Sequence, residues 1–323
     1  NISNYLKTKH HNINFSENDA FQLLSKLPTV YSEPFADPSQ LPTLFLSQFV
    51  SKDLKVVLSG DGGDEIFCGY NRYEFTNKYW KYNNYLPYSV MQFISYLSTN
   101  DLIKTLFKIN NYPQLDHKID KLSKTLKAKD LRSLYQGFTS FWDQGEIYKN
   151  QHDNTYNFDL IDNMTHLNST EKLMIADMIF YLPNDILVKV DRASMYNSLE
   201  VRSPFLHPDI INLASKLPLK HKFHKGSKKF MLKYLLNEYI PNVKTSRPKQ
   251  GFSMPLGNWL KNSFRDWAED LLSSKNLALI EGLDHIKIKN EWKNFLESKN
   301  NSENRIWIVL ILIDWYKNNI SLK

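Results

Sequence analysis

The β-branched run Val56-Val57-Leu58 stops at Ser59 and passes directly into Gly60-Asp61-Gly62-Gly63-Asp64-Glu65, followed by Ile66 and Phe67. This segment constrains the fold more than any other. A short apolar run bounded by Gly and Asp has the form of a buried strand that ends in a loop. Its glycines let backbone approach a ligand that side chains would exclude. Carboxylates in such a loop suit Mg²⁺, which takes one or two protein oxygens together with substrate phosphates. The alternative is a Gly/Asp-rich turn that joins strand to helix and binds nothing.

The flanking pattern supports an α/β unit. Ser16-Glu17-Asn18-Asp19 fits a capping box ahead of Phe21, Leu24 and Leu27, which predicts a helix from about Ala20 to Leu27 that Pro28 ends or follows. Apolar residues three and four apart predict a second helix over Thr43 to Ser51, leading into a strand over Lys55 to Leu58. Helix, strand, loop and helix in that order form the unit of a parallel sheet, and ligands bind at the carboxyl ends of its strands. From about Tyr79 onward the pattern is almost wholly helical. Stripes run through Leu102, Leu106 and Ile109, through Leu131, Leu134 and Phe138, and through Leu173, Ala176 and Phe180, with aromatic residues as core. Residues 110–129 form a polar, lysine-rich excursion, and His152 and His166 lack partners at metal-ligand spacing, so both belong on the surface.

Composition narrows the function. A chain of 323 residues that is 42% hydrophobic can bury a substantial core. Its single cysteine, Cys68, excludes a disulfide framework and fits a reducing cytoplasm. The longest apolar run, Ile306 to Ile313, has eight residues and is too short to cross a bilayer. The net charge of +7 comes from dispersed lysines, with clusters at Lys118 to Lys129 and Lys216 to Lys233. No arginine-rich arm or aromatic RNA-binding motif accompanies them, so these lysines are read as solvated helix faces and nucleic acid is not an expected partner; for Lys220 to Lys229, with His221, His224 and Gly226, a place near a phosphate is the alternative.

Two further segments specify the chemistry: Leu182-Pro183-Asn184-Asp185 through Val190-Asp191-Arg192-Ala193-Ser194-Met195 to Glu200-Val201-Arg202-Ser203-Pro204-Phe205-Leu206, and Arg247-Pro248-Lys249-Gln250-Gly251-Phe252. With Ser59 to Glu65, and with Tyr31 to Ser39 upstream, they occur in the order found in glutamine-dependent asparagine synthetases. The chain resembles the synthetase domain of that family from about Tyr31 to Phe252. The resemblance implies an adenine nucleotide alpha-hydrolase-like (PP-loop type) α/β fold. In this reading residues 1–80 are a remnant of the nucleotide-binding core and residues 81–323 a large, mainly helical part. No Ser-Gly-Gly-x-Asp-Ser phosphate loop and no glutaminase domain with an N-terminal cysteine occur in the sequence. The resemblance therefore implies a parallel sheet that is incomplete and a chain that is the downstream part of a longer protein.

By the same resemblance, aspartate's side-chain carboxylate attacks ATP to give an acyl-adenylate and pyrophosphate, and glutamine-derived ammonia then displaces AMP. Asp64 matches the family's Mg²⁺ ligand in this loop. Lys249 matches the lysine that stabilises charge on the α-phosphate, a task suited to a point charge on a flexible stem. Ser59 and Gly60 match nucleotide-contacting positions. Asp61 either accepts a proton from ammonia or orients the intermediate, with structural support of the loop as the other reading. Asp191 and Glu200 are candidates for ammonium handling and Arg202 for anchoring, or else they belong to a buried ion-pair network on a helix packed near the site. Glu33 and Asp37 share that ambiguity. His207 stands where the family usually carries an acidic residue. The implied cofactors are ATP and Mg²⁺ and the implied location is cytoplasmic; a homodimer is compatible with the resemblance. Two other readings stay open: amidation of a different carboxylate, on a surface polysaccharide sugar or a peptide, and a non-catalytic fragment.

Overall fold

A computed structural model describes residues 2–78, 80, 127–148, 157–241 and 254–320. Lys249, His152, the stripe from Leu102 to Ile109 and nearly all of the 110–129 excursion lie outside these residues. The chain divides into two compact units built from interleaved segments: residues 1–26, 39–78 and 160–254 in the first, and 27–38, 79–159 and 255–323 in the second.

In the first unit the expected helix spans Glu17–Leu24. Ser16 caps it by accepting from the Asp19 N–H, while the Asp19 carboxylate accepts from the Ser16 N–H, so the box read from sequence is formed. Leu23 and Leu24 are buried; Leu27 and Pro28 fall in a separate turn of helix, Leu27–Val30, which belongs to the second unit. The helix Gln40–Val50 precedes strand β1 (Val56–Leu58), and the acidic loop follows β1 into a short helix, Gly63–Ile66. β1 pairs in parallel with β2 (Glu200–Arg202), Val57 opposite Val201, and the Ser59 N–H donates to the Arg202 carbonyl at 2.9 Å. The chain is thus an α/β protein, rich in helix, with a small parallel sheet.

One expectation for β1 needs correction: the strand is not buried. Leu58 is 72% exposed and Val56 is exposed too. Side chains alternate along a strand, so Val56 and Leu58 share one face, and only Val57 takes the other. The pattern downstream also departs from continuous α-helix. Ser169–Ala176 is α-helical, but Asp177–Leu187 is a π-helix, which then gives way to the α-helix Val188–Met195. Pro183, with no N–H to donate, sits inside the π segment, and the Asn184 side-chain amide donates to the Phe180 carbonyl at 2.8 Å. A hairpin of β3 (Phe223–His224) and β4 (Ser227–Lys228) turns at Lys225 and Gly226, both at positive φ, the backbone of a two-residue primed turn.

In the second unit the apolar run read from sequence lies inside the helix Glu303–Asn319, where Ile306, Trp307, Val309, Leu310 and Ile313 are buried. No described helix is long and apolar enough to cross a membrane. Trp307 packs against Trp267, and Tyr135 against Phe158, as expected of aromatic core. Arg305 lies over the Trp142 ring and pairs with Glu146 and Glu291. Asp314 is buried on the same helix, and burial raises its carboxyl to about 6 although Lys317 and Asn318 lower it. A carboxyl raised above its unfolded value contributes stability that is present below the unfolded pKa and is lost as pH rises through about 6. Asp314→Asn is therefore expected to add about 1–3 kcal/mol at pH 8 and almost nothing at pH 4. Denaturant unfolding of both proteins at the two pH values measures this.

Candidate active site

The acidic loop lies at the carboxyl end of β1, where a parallel sheet presents backbone to ligands. Ser59 Oγ donates to the Asp61 carboxylate at 2.8 Å and lies 3.0 Å from Ser203 Oγ. That contact ties the loop to the residue that follows β2, so two motifs far apart in sequence meet here. A Cβ built on Gly60 would meet nothing within 4 Å. The fold itself therefore does not require glycine at 60, and a close backbone approach by a ligand is open there.

The other glycines answer to packing. Gly62 has φ +84°, and a Cβ on it would lie 2.3 Å from Leu206 Cδ2. Gly63 packs under the Phe205 ring. Behind the loop, Ile66, Phe67 and Ala214 form a core patch joined by Phe205, Leu206, Ile210 and Ile211. Gly69 faces the Asp64 carboxylate and the Lys229 stem, where a Cβ would fall 1.9 Å from Asp64 Oδ1.

Asp64 is paired with Lys229, Nζ to Oδ1 at 3.1 Å. Lys229 belongs to the cluster assigned to solvated faces, and that assignment is wrong for it and for Lys222, which is buried. The β3–β4 hairpin delivers the lysines: Lys228 bonds to Asn71 Oδ1 and lies 3.6 Å from Glu74, and Lys229, at φ 52°, turns back toward Asp64. Burial lowers the Lys222 ammonium, partly offset by Glu171, and pushes the neighbouring Cys68 thiol up to about 12, so this cysteine is an inert thiol rather than a nucleophile.

Glu65, next to Asp64, is buried and accepts from Tyr70 Oη at 2.5 Å; burial raises its carboxyl. Arg72 lies over the Tyr70 and Tyr181 rings, its Cζ 4.1 and 4.7 Å from their centroids, and its Nε donates to Asp177 at 2.7 Å. Tyr73 Oη also donates to that carboxylate, at 2.5 Å. Burial works against the Arg72 charge and the Asp177 carboxylate more than restores it, while burial and the Asp177 carboxylate push the Tyr73 hydroxyl far up against the opposing charge of Arg72. Sequence reading missed this network, although Tyr70, Arg72 and Tyr73 stand within ten residues of the loop.

Asp191 is not in a buried network. It is 64% exposed on the helix Val188–Met195, with Arg192 at 3.9 Å, because the inner face of that helix is filled by Lys189, Ala193 and Ser194. Glu200 and Arg202, two apart on β2, pair with each other at 2.6 Å on an exposed face. Glu33 is exposed and Asp37 half-buried, both in the second unit. His207 caps the helix Pro208–Lys216, its Nδ1 accepting from the Asp209 N–H at 3.3 Å, the task an acidic residue there would also perform. The structure thus gathers Ser59, Gly60, Asp61 and Asp64 into one loop and adds Ser203 and Lys229 to it.

The model of the asparagine synthase family matches residues 1–317. Among curated relatives, "Asparagine synthetase [glutamine-hydrolyzing] 1" of Bacillus subtilis (strain 168) is 26% identical over 307 residues, covering 93% of this chain and 46% of that protein. A putative asparagine synthetase [glutamine-hydrolyzing] of Mycobacterium tuberculosis (strain ATCC 25618 / H37Rv) is 27% identical over 305 residues, covering 92% and 45%. Another, from Methanocaldococcus jannaschii, is 33% identical over 205 residues, covering 60% and 36%. The chain spans somewhat under half the length of these relatives. With a family match over nearly its whole length, on a chain whose acidic loop ends a parallel strand and is tied to the segment Glu200 to Leu206, this protein belongs to the asparagine synthase family.

Proposed function

We propose that the full-length protein amidates the side-chain carboxylate of aspartate at the expense of ATP. The route is a β-aspartyl-adenylate that ammonia from glutamine converts to asparagine, with AMP and pyrophosphate released. The observation that carries this reading is the loop from Ser59 to Asp64 at the carboxyl end of a parallel strand, its backbone open at Gly60. In a family whose named relatives are glutamine-hydrolysing asparagine synthetases, that loop is the natural seat of the nucleotide. The sheet would then be part of a nucleotide-hydrolase-like core.

In this scheme Ser59 and the Gly60 backbone hold the nucleotide, and Asp61, oriented by the Ser59 hydroxyl, takes a proton from ammonia or orients the intermediate. Asp64 offers a hard cation one carboxylate, which in this structure holds the Lys229 ammonium. That donor set suits an ion held by one or two carboxylates and by phosphates. When bound, Mg²⁺ would neutralise charge on the departing pyrophosphate. Lys249 would follow the α-phosphate through both steps, and Asp191, exposed to solvent, would meet ammonium on its way in.

The test is an assay of the full-length protein with ATP, Mg²⁺, aspartate and either glutamine or ammonia, following pyrophosphate and asparagine together. Aspartate-dependent pyrophosphate matched by asparagine, and abolished in Lys249→Ala, is the expected result. Pyrophosphate release that ignores aspartate would move the assignment to another acceptor carboxylate.

A further inference from the structure

Behind the acidic loop lies a network of largely buried polar and aromatic side chains. From the loop inward it runs Glu65, Tyr70, Arg72 and Asp177, each touching the next: hydroxyl to carboxylate at 2.5 Å, guanidinium over ring at 4.1 Å, guanidinium to carboxylate at 2.7 Å. Glu65 is on the same short helix as Asp64, and Asp177 is the first residue of the π-helix. A helix of four residues has little stability of its own and takes its position from what its side chains are fixed to.

We propose that Arg72 and Asp177 are positioning residues, which act through the Tyr70–Glu65 hydrogen bond to hold the helix Gly63–Ile66, and with it Asp64, in the geometry the reaction needs. Both are positioning rather than catalytic residues, since the contacts traced above lead from each to the loop through another side chain. The guanidinium is what the arrangement uses: it lies over the rings of Tyr70 and Tyr181, which meet edge to face, while its Nε binds Asp177, whereas a lysine ammonium could pair with Asp177 but has no delocalised flat group to spread over the rings. The inference rests on the function proposed above, so its test carries a readout that does not depend on activity.

Arg72→Lys keeps the charge beside Asp177, and Tyr70→Phe removes only the hydroxyl that reaches Glu65. Both variants, their double variant and wild type are prepared as full-length protein and studied at a temperature where all are folded. In each variant the Ile66 and Phe67 amides, which close the short helix onto Gly62 and Gly63, are expected to exchange with solvent about tenfold faster, while amides of the helix Gln40–Val50 keep their wild-type rates. The kcat of aspartate-dependent pyrophosphate release is expected to fall about 10- to 100-fold with KM for ATP within about twofold. The double variant is expected to lose no more than the worse single variant, because both changes act through one hydrogen bond. Wild-type exchange at Ile66 and Phe67 overturns the proposal, and so do losses in kcat that multiply in the double variant. If wild type releases no pyrophosphate with aspartate, the functional reading has failed, and the exchange rates alone decide this inference.

Discussion

Asp177→Ala is expected to destabilise the first unit by about 3–5 kcal/mol, because the change strands the charge of Arg72 in the interior. Asp177 is fully buried and accepts from both Arg72 and Tyr73; once it is gone, the guanidinium keeps its neighbouring rings but loses this counter-charge. Breaking one side of a buried pair costs far more than the pair contributes over an apolar substitute, so Asp177→Ala together with Arg72→Leu is expected to recover part of the loss. Denaturant unfolding of the three proteins, with the midpoint and slope fitted together, measures both effects. A loss below about 1 kcal/mol in the single variant would mean that water reaches Arg72 and solvates it.

Gly62→Ala is expected to be the second-largest effect, about 2–4 kcal/mol. Two penalties coincide at one atom. The backbone sits at φ +84°, a region that costs a side-chain-bearing residue on the order of 1 kcal/mol or more, and the added methyl would lie 2.3 Å from Leu206 Cδ2. Leu206 is partly buried and packs in the patch with Ile66 and Phe67, so moving its branched end aside loosens that packing and adds a cost of about 1–3 kcal/mol. Gly60→Ala is the control, since its methyl meets open space. The pair separates the two uses of glycine in this loop: thermal unfolding should detect Gly62→Ala and not Gly60→Ala, whereas nucleotide binding should detect both.

Much of this was legible in the sequence where one local rule decided the outcome. The box at Ser16 and Asp19 formed as written, because both partners lie within one turn of each other. β1 and the loop after it were readable from three apolar residues and the glycines that follow. What escaped notice depended on distant partners or on an unfamiliar period. β2 is only Glu200-Val201-Arg202, two charges around one valine, and pairs as a strand because β1 offers it an edge. The π-helix has no signature at a spacing of three and four, so Leu173, Ala176 and Phe180 read as a single stripe, although the helix type changes after Ala176. Lys229 resembles every other lysine in its cluster until a hairpin turn aims it at Asp64. For Asp191 the alternative of a buried ion-pair network fails for the opposite reason: flanking apolar residues suggested burial, but the helix turns Ala193 and Ser194 inward and leaves the carboxylate in water.

The pairing of Val57 with Val201 has a consequence for how the molecule acquires its site. The acidic loop is a local feature, but its tie to Ser203 joins stretches that the chain separates by most of its central portion. Contacts between residues so remote in sequence require a long loop to close before they contribute anything, and they form late and slowly during folding. A newly made chain therefore carries every residue of the loop well before it carries the site.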